Sequence, residues 1–398
     1  MSAEIGDTRN DPTSPTKDEG DRISMVEHVV VIGAGVYGAA VTAALTRRGA
    51  RVTVVDAGAP AAGSSGATFS WTNSCGKQPR SYHDFSVASM AAHRKLATDV
   101  PHGDWYHEGG NLEWAADDAG REALRKKVAG VLDYGYEARW LSRAEALGLE
   151  PDMDPAELPA GEIAYFPREG WIEPVRLIAH LLSRAVAGGS ELAANDAVTA
   201  LEVTAGTVRA VRLASGRRLL ADAVVNCAGP QAAGIAALAG LVLPMRNTRG
   251  VLVCSSPVAV SVSRVIHAPH VHLRPDGGGR LLLHTHEIDD TAHVSGTGEI
   301  SVDPSAIDKV VEAGRALYPG MRASTVEAVR VGQRPIPGDG LPVLGRVVAL
   351  PNFHFAVSHS GATLSVHAGD LVAGEVLGED HDDALAAFRF ERPALAAR

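Results

Sequence analysis

Val29-Val30-Val31-Ile32-Gly33-Ala34-Gly35-Val36-Tyr37-Gly38 is the stretch on which the reading of this chain turns. Four β-branched aliphatics in a row call for a strand buried on both faces. The glycines form a tight turn, and the apolar run on to Arg48 has helical character. A second strand, Arg51–Val55, ends at Asp56. A dinucleotide needs that order of parts. Gly33 permits the turn, Gly35 lets backbone approach a pyrophosphate with no Cβ in the way, and Gly38 lets the helix lie close on the strand. The helix start, where Tyr37 sits, offers unpaired N–H groups and partial positive charge to phosphates. Asp56 stands where an acid accepts hydrogen bonds from a ribose. Among 42 glycines a lone GxGxxG says little, but here strand, turn, helix and acid are in register.

The turn does not choose between NAD and FAD; later segments bear on it. Ala61-Ala62-Gly63-Ser64-Ser65-Gly66-Ala67-Thr68 is a run of small residues that lets backbone lie flat against a ligand. Hydroxyls of Ser64, Ser65 and Thr68 can reach phosphate or ring edges. Ala223-Val224-Val225-Asn226-Cys227-Ala228-Gly229-Pro230 reads as a strand stopped at a glycine. A strand over 352–358 leads through His359-Ser360-Gly361-Ala362-Thr363 into a helix over 364–377. The start of that helix can face a delocalised anion such as a reduced flavin.

On these segments the chain resembles the D-amino-acid oxidase superfamily of FAD-dependent oxidoreductases, which includes glycine oxidase, sarcosine oxidase and D-amino-acid dehydrogenases. Further matching pieces are Arg249-Gly250, His272 to Pro275 with the following Gly277-Gly278-Gly279-Arg280, and Arg334-Pro335-Ile336-Pro337-Gly338-Asp339-Gly340-Leu341-Pro342-Val343-Leu344-Gly345. Together they span roughly residues 26–378. One departure is Asp56, where such flavoproteins more often carry the longer Glu. The resemblance implies an α/β fold: a Rossmann-like FAD-binding domain with an inserted mixed-sheet (α+β) substrate domain. It assigns 26–104, 160–240 and 326–385 to the discontinuous FAD domain, and 105–159 and 241–325 to the substrate domain. It implies FAD as cofactor, with Val198, Ala228, Gly229, Ser360, Gly361, Ala362 and Thr363 joining Gly33 to Gly38, Asp56 and Ser64 to Thr68 (Gly66 and Ala67 included) around it.

Composition sets bounds. At 398 residues the chain can bury a large core, and 45% hydrophobic with 21% charged residues is ordinary for a globular protein. A formal charge of −10 argues against nucleic acid or an anionic membrane as a general partner. The three cysteines lack CxxC spacing, so no disulfide framework is expected. Residues 1–25 are rich in Asp, Thr, Pro and Ser, without the apolar core of a signal peptide, and are expected to be a disordered tail. No apolar run is long enough for a membrane span, so cytoplasm is the default location. Residues 386–398 are expected to be a C-terminal tail.

Periodicity gives helices over 85–96, 119–134 and Pro174–Ala187, with a short one capped by Ser142. Strands are expected over 197–203, Thr207–Leu213 and 218–225, and a β block over 249–283 turns at Asp276 to Gly279.

Chemistry in the superfamily is carried by the flavin, while the protein binds and orients. A C–H bond is set against flavin N5, a hydride leaves and an amine becomes an imine. In glycine-oxidase-like members an arginine at the place of Arg334 holds the substrate carboxylate, and a guanidinium suits that task because it donates two parallel hydrogen bonds. The alternative is a structural ion pair, with Asp339 as the partner; Arg330 reads as structural. His359 reads either as a flavin or substrate contact or as a turn-stabilising donor. His284 and His286 sit at strand spacing, on one face. Resemblance puts this sheet over the substrate, where His272 and His284 replace the tyrosines often found. His286-Glu287 invites a metal reading, but no metal is expected. Trp71, Trp171 and Glu173 are further pocket candidates. Some relatives attach flavin through a cysteine near Val331-Gly332-Gln333-Arg334; none is present there, so FAD is expected to be non-covalent, with a histidyl link left open.

Three function classes follow: FAD-dependent oxidation of an amine or amino acid, with O2 or a redox partner as acceptor; oxidation of a 2-hydroxy acid or other non-amine on the same fold; or a nicotinamide-dependent dehydrogenase or non-catalytic dinucleotide module.

Overall fold

A computed structural model describes residues 26–101, 103–296 and 299–396. The expected disordered tail, 1–25, lies outside the described residues.

The opening stretch forms strand His28–Ile32 and helix Val36–Arg47. That strand is central in a six-stranded sheet ordered 343–347, 350–357, 223–226, 28–32, 51–55, 191–193. All neighbours run parallel except the first pair, which is antiparallel. A parallel strand covered on both faces must be apolar throughout, which explains the unbroken Val-Val-Val-Ile. Helices Val36–Arg47, Pro174–Ala187 and Gly361–Val376 cover one face. The other is covered by the antiparallel strands Val198–Thr204, Thr207–Leu213 and Arg218–Leu220, with helix Ala232–Leu238. Fully buried side chains such as Val29, Val31, Val54 and Leu364 each contribute roughly 1.5–3 kcal/mol.

Two glycines make this packing feasible. Gly33 has φ +106°, and a Cβ there would lie 2.4 Å from the Cys227 carbonyl oxygen. A Cβ on Gly38 would lie 1.7 Å from the Gly33 carbonyl oxygen. No side chain larger than hydrogen fits where this helix meets its own turn.

A second, eight-stranded sheet is ordered 326–334, 248–255, 281–284, 271–275, 265–268, 111–113, 163–166, 139–141. It is mixed, because Val265–Ala268 runs parallel to Asn111–Glu113 while the other pairs are antiparallel. Alternation sorts its side chains. Val251, Val253, Ile266, Val271, Leu273, Leu281 and Leu283 pack together with Val310 and Leu317 of helix Pro304–Leu317. Period two then sends Gly250, His267, His272, His284 and Arg334 to the opposite face.

The structure revises several expectations. The strand expected over 218–225 is two strands in different sheets, Arg218–Leu220 and Ala223–Asn226. The break falls at Asp222, whose carboxylate accepts from the His28 N–H at 2.8 Å and so ties the chain to the other sheet. The helix expected over 85–96 runs Arg80–Asp99, its buried face including His83, Ser86, Ser89 and His93. Strands Ile163–Phe166 and Val326–Arg334, assigned by resemblance to the FAD-binding unit, belong to the eight-stranded sheet. The segment expected as a C-terminal tail, described to residue 396, packs on the core. Phe388 and Leu395 are buried in the core, and Arg392 pairs with Asp339 at 2.7 Å. The Ser142 cap is present as a full capping box with Glu145.

Candidate active site

Two cavities meet above the glycine turn. The first, about 540 Å³, is lined by Gly33, Gly35, Tyr37, Asp56, Ser64, Ser65, Thr68, Val198, Ala228, Gly229, His359, Gly361 and Ala362. The second, about 880 Å³, lies under the histidine face of the eight-stranded sheet and is lined by Ala67, Trp71, Lys77, His267, His272, His284, His286, Arg334 and Ser360 among others. Ser64, Thr68, Pro335, His359 and Ala362 belong to both walls. A long ligand seated on the turn therefore reaches the second cavity at His359.

The first cavity fits an extended dinucleotide. A Cβ on Gly35 would stand 3.0 Å from Ser65 Oγ, closing the gap between helix start and serine that a pyrophosphate needs. Ser65 Oγ accepts from the Val36 N–H at 3.1 Å. The Asp56 carboxylate accepts from the Ala34 N–H at 2.6 Å and the Gly58 N–H at 2.8 Å. The shorter acid thus folds back to brace the turn, with lone pairs left over for a ribose. Tyr37 donates or accepts at Ser358 Oγ, 2.7 Å away, and Ser64 donates to the Gln333 carbonyl. Gly38, Gly66 and Thr363 line neither cavity. Gly38 is a packing position, and Thr363 Oγ1 is engaged with the Asn73 N–H and Trp71 carbonyl.

All four residues expected to act on substrate, Arg334, His359, His284 and His272, line the second cavity. His272 and His284 are directly opposed on neighbouring strands. His286 is not on a strand: Thr285 caps a one-turn helix, His286–Asp289, which still turns the His286 ring to 5.5 Å from His284 and 5.3 Å from His272. His267 joins them, 4.6 Å from His272 and 4.2 Å from Trp71. Burial, then the neighbouring imidazoles, push His267 well below its ordinary value and His272 down to about 3. His286 is lowered by the same causes. At neutral pH these three rings are uncharged walls. His359 presents more than a third of its surface to the cavities, yet desolvation by the surrounding protein, then Lys77 and Arg334, lower it to about 4.

Arg334 is paired, but not with Asp339. Its Nη1 lies 2.7 Å from Asp289 Oδ2 and donates to the Arg249 carbonyl at 2.7 Å. Its Nη2 is 3.2 Å from His284 Nε2. Asp289 and Lys77 are residues the sequence reading missed. Lys77 Nζ donates to Ser360 Oγ at 2.8 Å at the junction of the cavities. Trp171 and Glu173 fall away from the site. Trp171 stacks on His107 at 4.7 Å, and Glu173 accepts from His107 Nε2 at 3.0 Å. Arg330 pairs with Asp276 at 3.1 Å. Ligand atoms of His284, His286 and Asp289 lie within 4.8 Å of one another, close enough to hold a metal. The Arg334 guanidinium already brings positive charge to that carboxylate.

No described helix is long and apolar enough to cross a membrane. The family profile of FAD dependent oxidoreductases, DAO, matches residues 28–375. Glycine oxidase of Bacillus licheniformis is 25% identical, covering 93% of this chain and 98% of its own length. Glycine oxidase of Geobacillus kaustophilus is 27% identical over 92% of this chain and 96% of that protein. The crystal structure of the Geobacillus kaustophilus enzyme superposes with a TM-score of 0.79 at 25% identity, covering 92% of this chain and 99% of that one. With a glycine turn and acid able to seat the dinucleotide, and a family match that runs through both cavities, the chain belongs to the DAO family of FAD-dependent oxidoreductases.

Proposed function

We propose that this enzyme oxidises the C–N bond of an amino acid to an imine, with non-covalent FAD as cofactor and cytoplasm as its place. The observation that carries the reading is the junction of the two cavities: one guanidinium and a wall of uncharged imidazoles face the end of the dinucleotide site. When bound, FAD supplies the two-electron acceptor that takes a hydride from the carbon bearing the amine.

The remaining work belongs to the chain. Arg334 binds the substrate carboxylate through Nε and the second N–H of Nη2, since Nη1 is spent on Asp289 and the Arg249 carbonyl and Nη2 also lies 3.2 Å from His284 Nε2. That fixes the α-carbon in direction and trades translational freedom for orientation. The neutral rings of His272 and His286 keep further positive charge away from the amine, which must shed its proton before a hydride can leave. His359 and the backbone of Gly361 and Ala362, at the start of helix Gly361–Val376, face the cofactor end of the junction. Electrons leave the enzyme to O2 or to a redox partner.

The test is product chemistry. An imine hydrolyses to a carbonyl compound plus ammonia or an alkylamine, so turnover of the right amino acid must yield both in equal amounts. A carbonyl product without released amine would favour a 2-hydroxy acid as substrate.

A further inference from the structure

Arg334 does not hold its place unaided, and the anion that holds it, Asp289, lies outside every expectation drawn from the sequence. Asp289 is the last residue of the one-turn helix that follows strand Leu281–His284. Its side chain is only 10% exposed. Oδ1 accepts from the Val251 N–H at 2.7 Å, which anchors the carboxylate to the strand next to Arg334's own. Oδ2 faces Arg334 Nη1 at 2.7 Å and His284 Nε2 at 3.2 Å. Burial opposes ionisation, but the hydrogen bond and charge of His284, the Val251 N–H and Arg334 together keep this carboxyl below its ordinary range. It is an anion at working pH. On the other side, a Cβ on Gly250 would stand 2.8 Å from Arg334 Cζ and Nη2 and 3.0 Å from Nε. The guanidinium plane therefore lies directly on glycine backbone, with a fixed anion at one edge.

We infer that Asp289 is a positioning residue: with Gly250 beneath, it locks the Arg334 guanidinium so that its Nε–Nη2 edge is presented to a carboxylate in the cavity. This rests on the reading of Arg334 as carboxylate anchor. An unrestrained arginine would lose rotamer freedom on each binding event, whereas one already held in a bidentate-ready pose does not. A carboxylate beside an anion is also repelled unless the guanidinium lies between them, so the arrangement selects a ligand that approaches from the Nε–Nη2 edge only.

The test uses FAD-loaded enzyme and two simple carboxylates, acetate and benzoate, followed by perturbation of the flavin spectrum, together with KM and kcat on the amino acid that turns over. Asp289→Asn keeps an acceptor for the Val251 N–H and removes the charge. It is expected to weaken carboxylate binding and raise KM about tenfold, with kcat within about threefold of wild type and flavin content unchanged. Asp289→Glu is expected to recover part of the loss. In an Arg334→Ala background the Asp289→Asn change should cost nothing further, since there is no guanidinium left to position, and should relieve part of the repulsion that the unpaired Asp289 anion then exerts on the carboxylate. Gly250→Ala, which pushes on the guanidinium from below, should weaken the same carboxylates if Asp289→Asn proves unstable. An Asp289→Asn penalty of equal size with or without Arg334 overturns the proposal, as does wild-type binding in both Asp289→Asn and Gly250→Ala. If Arg334→Ala alone binds carboxylates normally, or if wild-type enzyme ignores both carboxylates, the anchor itself fails and the proposal falls with it; that result is read from those two proteins before any Asp289 variant.

Discussion

Arg334→Ala is the change with the most to say about the site. The side chain is 28% exposed and lines the larger cavity, and its Nε and second Nη2 hydrogen can give a substrate carboxylate two charge-assisted hydrogen bonds. Each such bond has a net worth of roughly 1.5–3 kcal/mol. Partial solvent access reduces that sum. Removing the guanidinium adds a penalty, because Asp289 is left facing the incoming carboxylate with only the Val251 N–H and His284 to hold it. The two corrections are of opposite sign, and a loss of about 3 kcal/mol, on the order of 150-fold in kcat/KM, is expected. Arg334→Lys keeps charge but not the planar fork and should fall between wild type and Ala. The assay is steady-state kinetics on an amino acid and on the amine made by removing its carboxylate. The variant should lose its preference for the amino acid while its rate on the plain amine stays close to wild type. Flavin content should hold. An Arg334→Ala protein that comes out colourless or unfolded would show a structural residue, and one with normal kcat/KM on the amino acid would remove the anchor from the account.

Three further outcomes follow from the same geometry. Denaturing the holoenzyme should release all of its FAD to the supernatant; flavin retained on the precipitated chain would contradict non-covalent binding. Gly35→Val adds bulk between the helix start and Ser65 Oγ, 3.0 Å from the position of even a Cβ, so FAD occupancy should collapse while far-UV circular dichroism stays near wild type; full occupancy would mean the phosphates bind elsewhere. His93 and His354 are buried and lowered to about 4 by desolvation, so the unfolded chain binds more protons than the folded one between about pH 4 and the ordinary histidine value near 6.5. Stability is thus complete above that range and lost as pH falls through it, by roughly 2 kcal/mol per histidine at pH 5, and in His93→Leu the pH 7 to pH 5 difference in unfolding free energy should shrink by that amount; an unchanged difference would show that His93 is not held neutral.

What could be read from the chain was what is local. Val29 to Asp56 carries strand, turn, helix and acid within a single crossover, so period and glycine placement sufficed. The histidine face was half legible. Resemblance put His272 and His284 together over the substrate, and the structure pairs them across two strands. Alternation misjudged His286, set with His284 on one strand face, because Thr285 caps a helix at that point and the strand period ends. Polar residues on a buried face misled in the same manner. His83, Ser86, Ser89 and His93 are buried on helix Arg80–Asp99, so apolar spacing found only its middle. Asp289 left no trace in sequence, since its partner Arg334 arrives from a strand 45 positions on that becomes a neighbour only through sheet order. For that reason Asp339, close in sequence, looked a better partner than it is; it is taken by Arg392 from the C-terminal segment.

The central claim, oxidation of an amino acid at the junction of the two cavities, is tested most directly by anaerobic mixing of the yellow holoenzyme with a panel of amino acids, N-alkyl amino acids, plain amines and 2-hydroxy acids, watching the flavin absorbance. Rapid bleaching by at least one amino acid or N-alkyl amino acid is expected, and none by its hydroxy analogue. Bleaching by hydroxy acids alone, or by amines lacking a carboxylate in preference to amino acids, would contradict it.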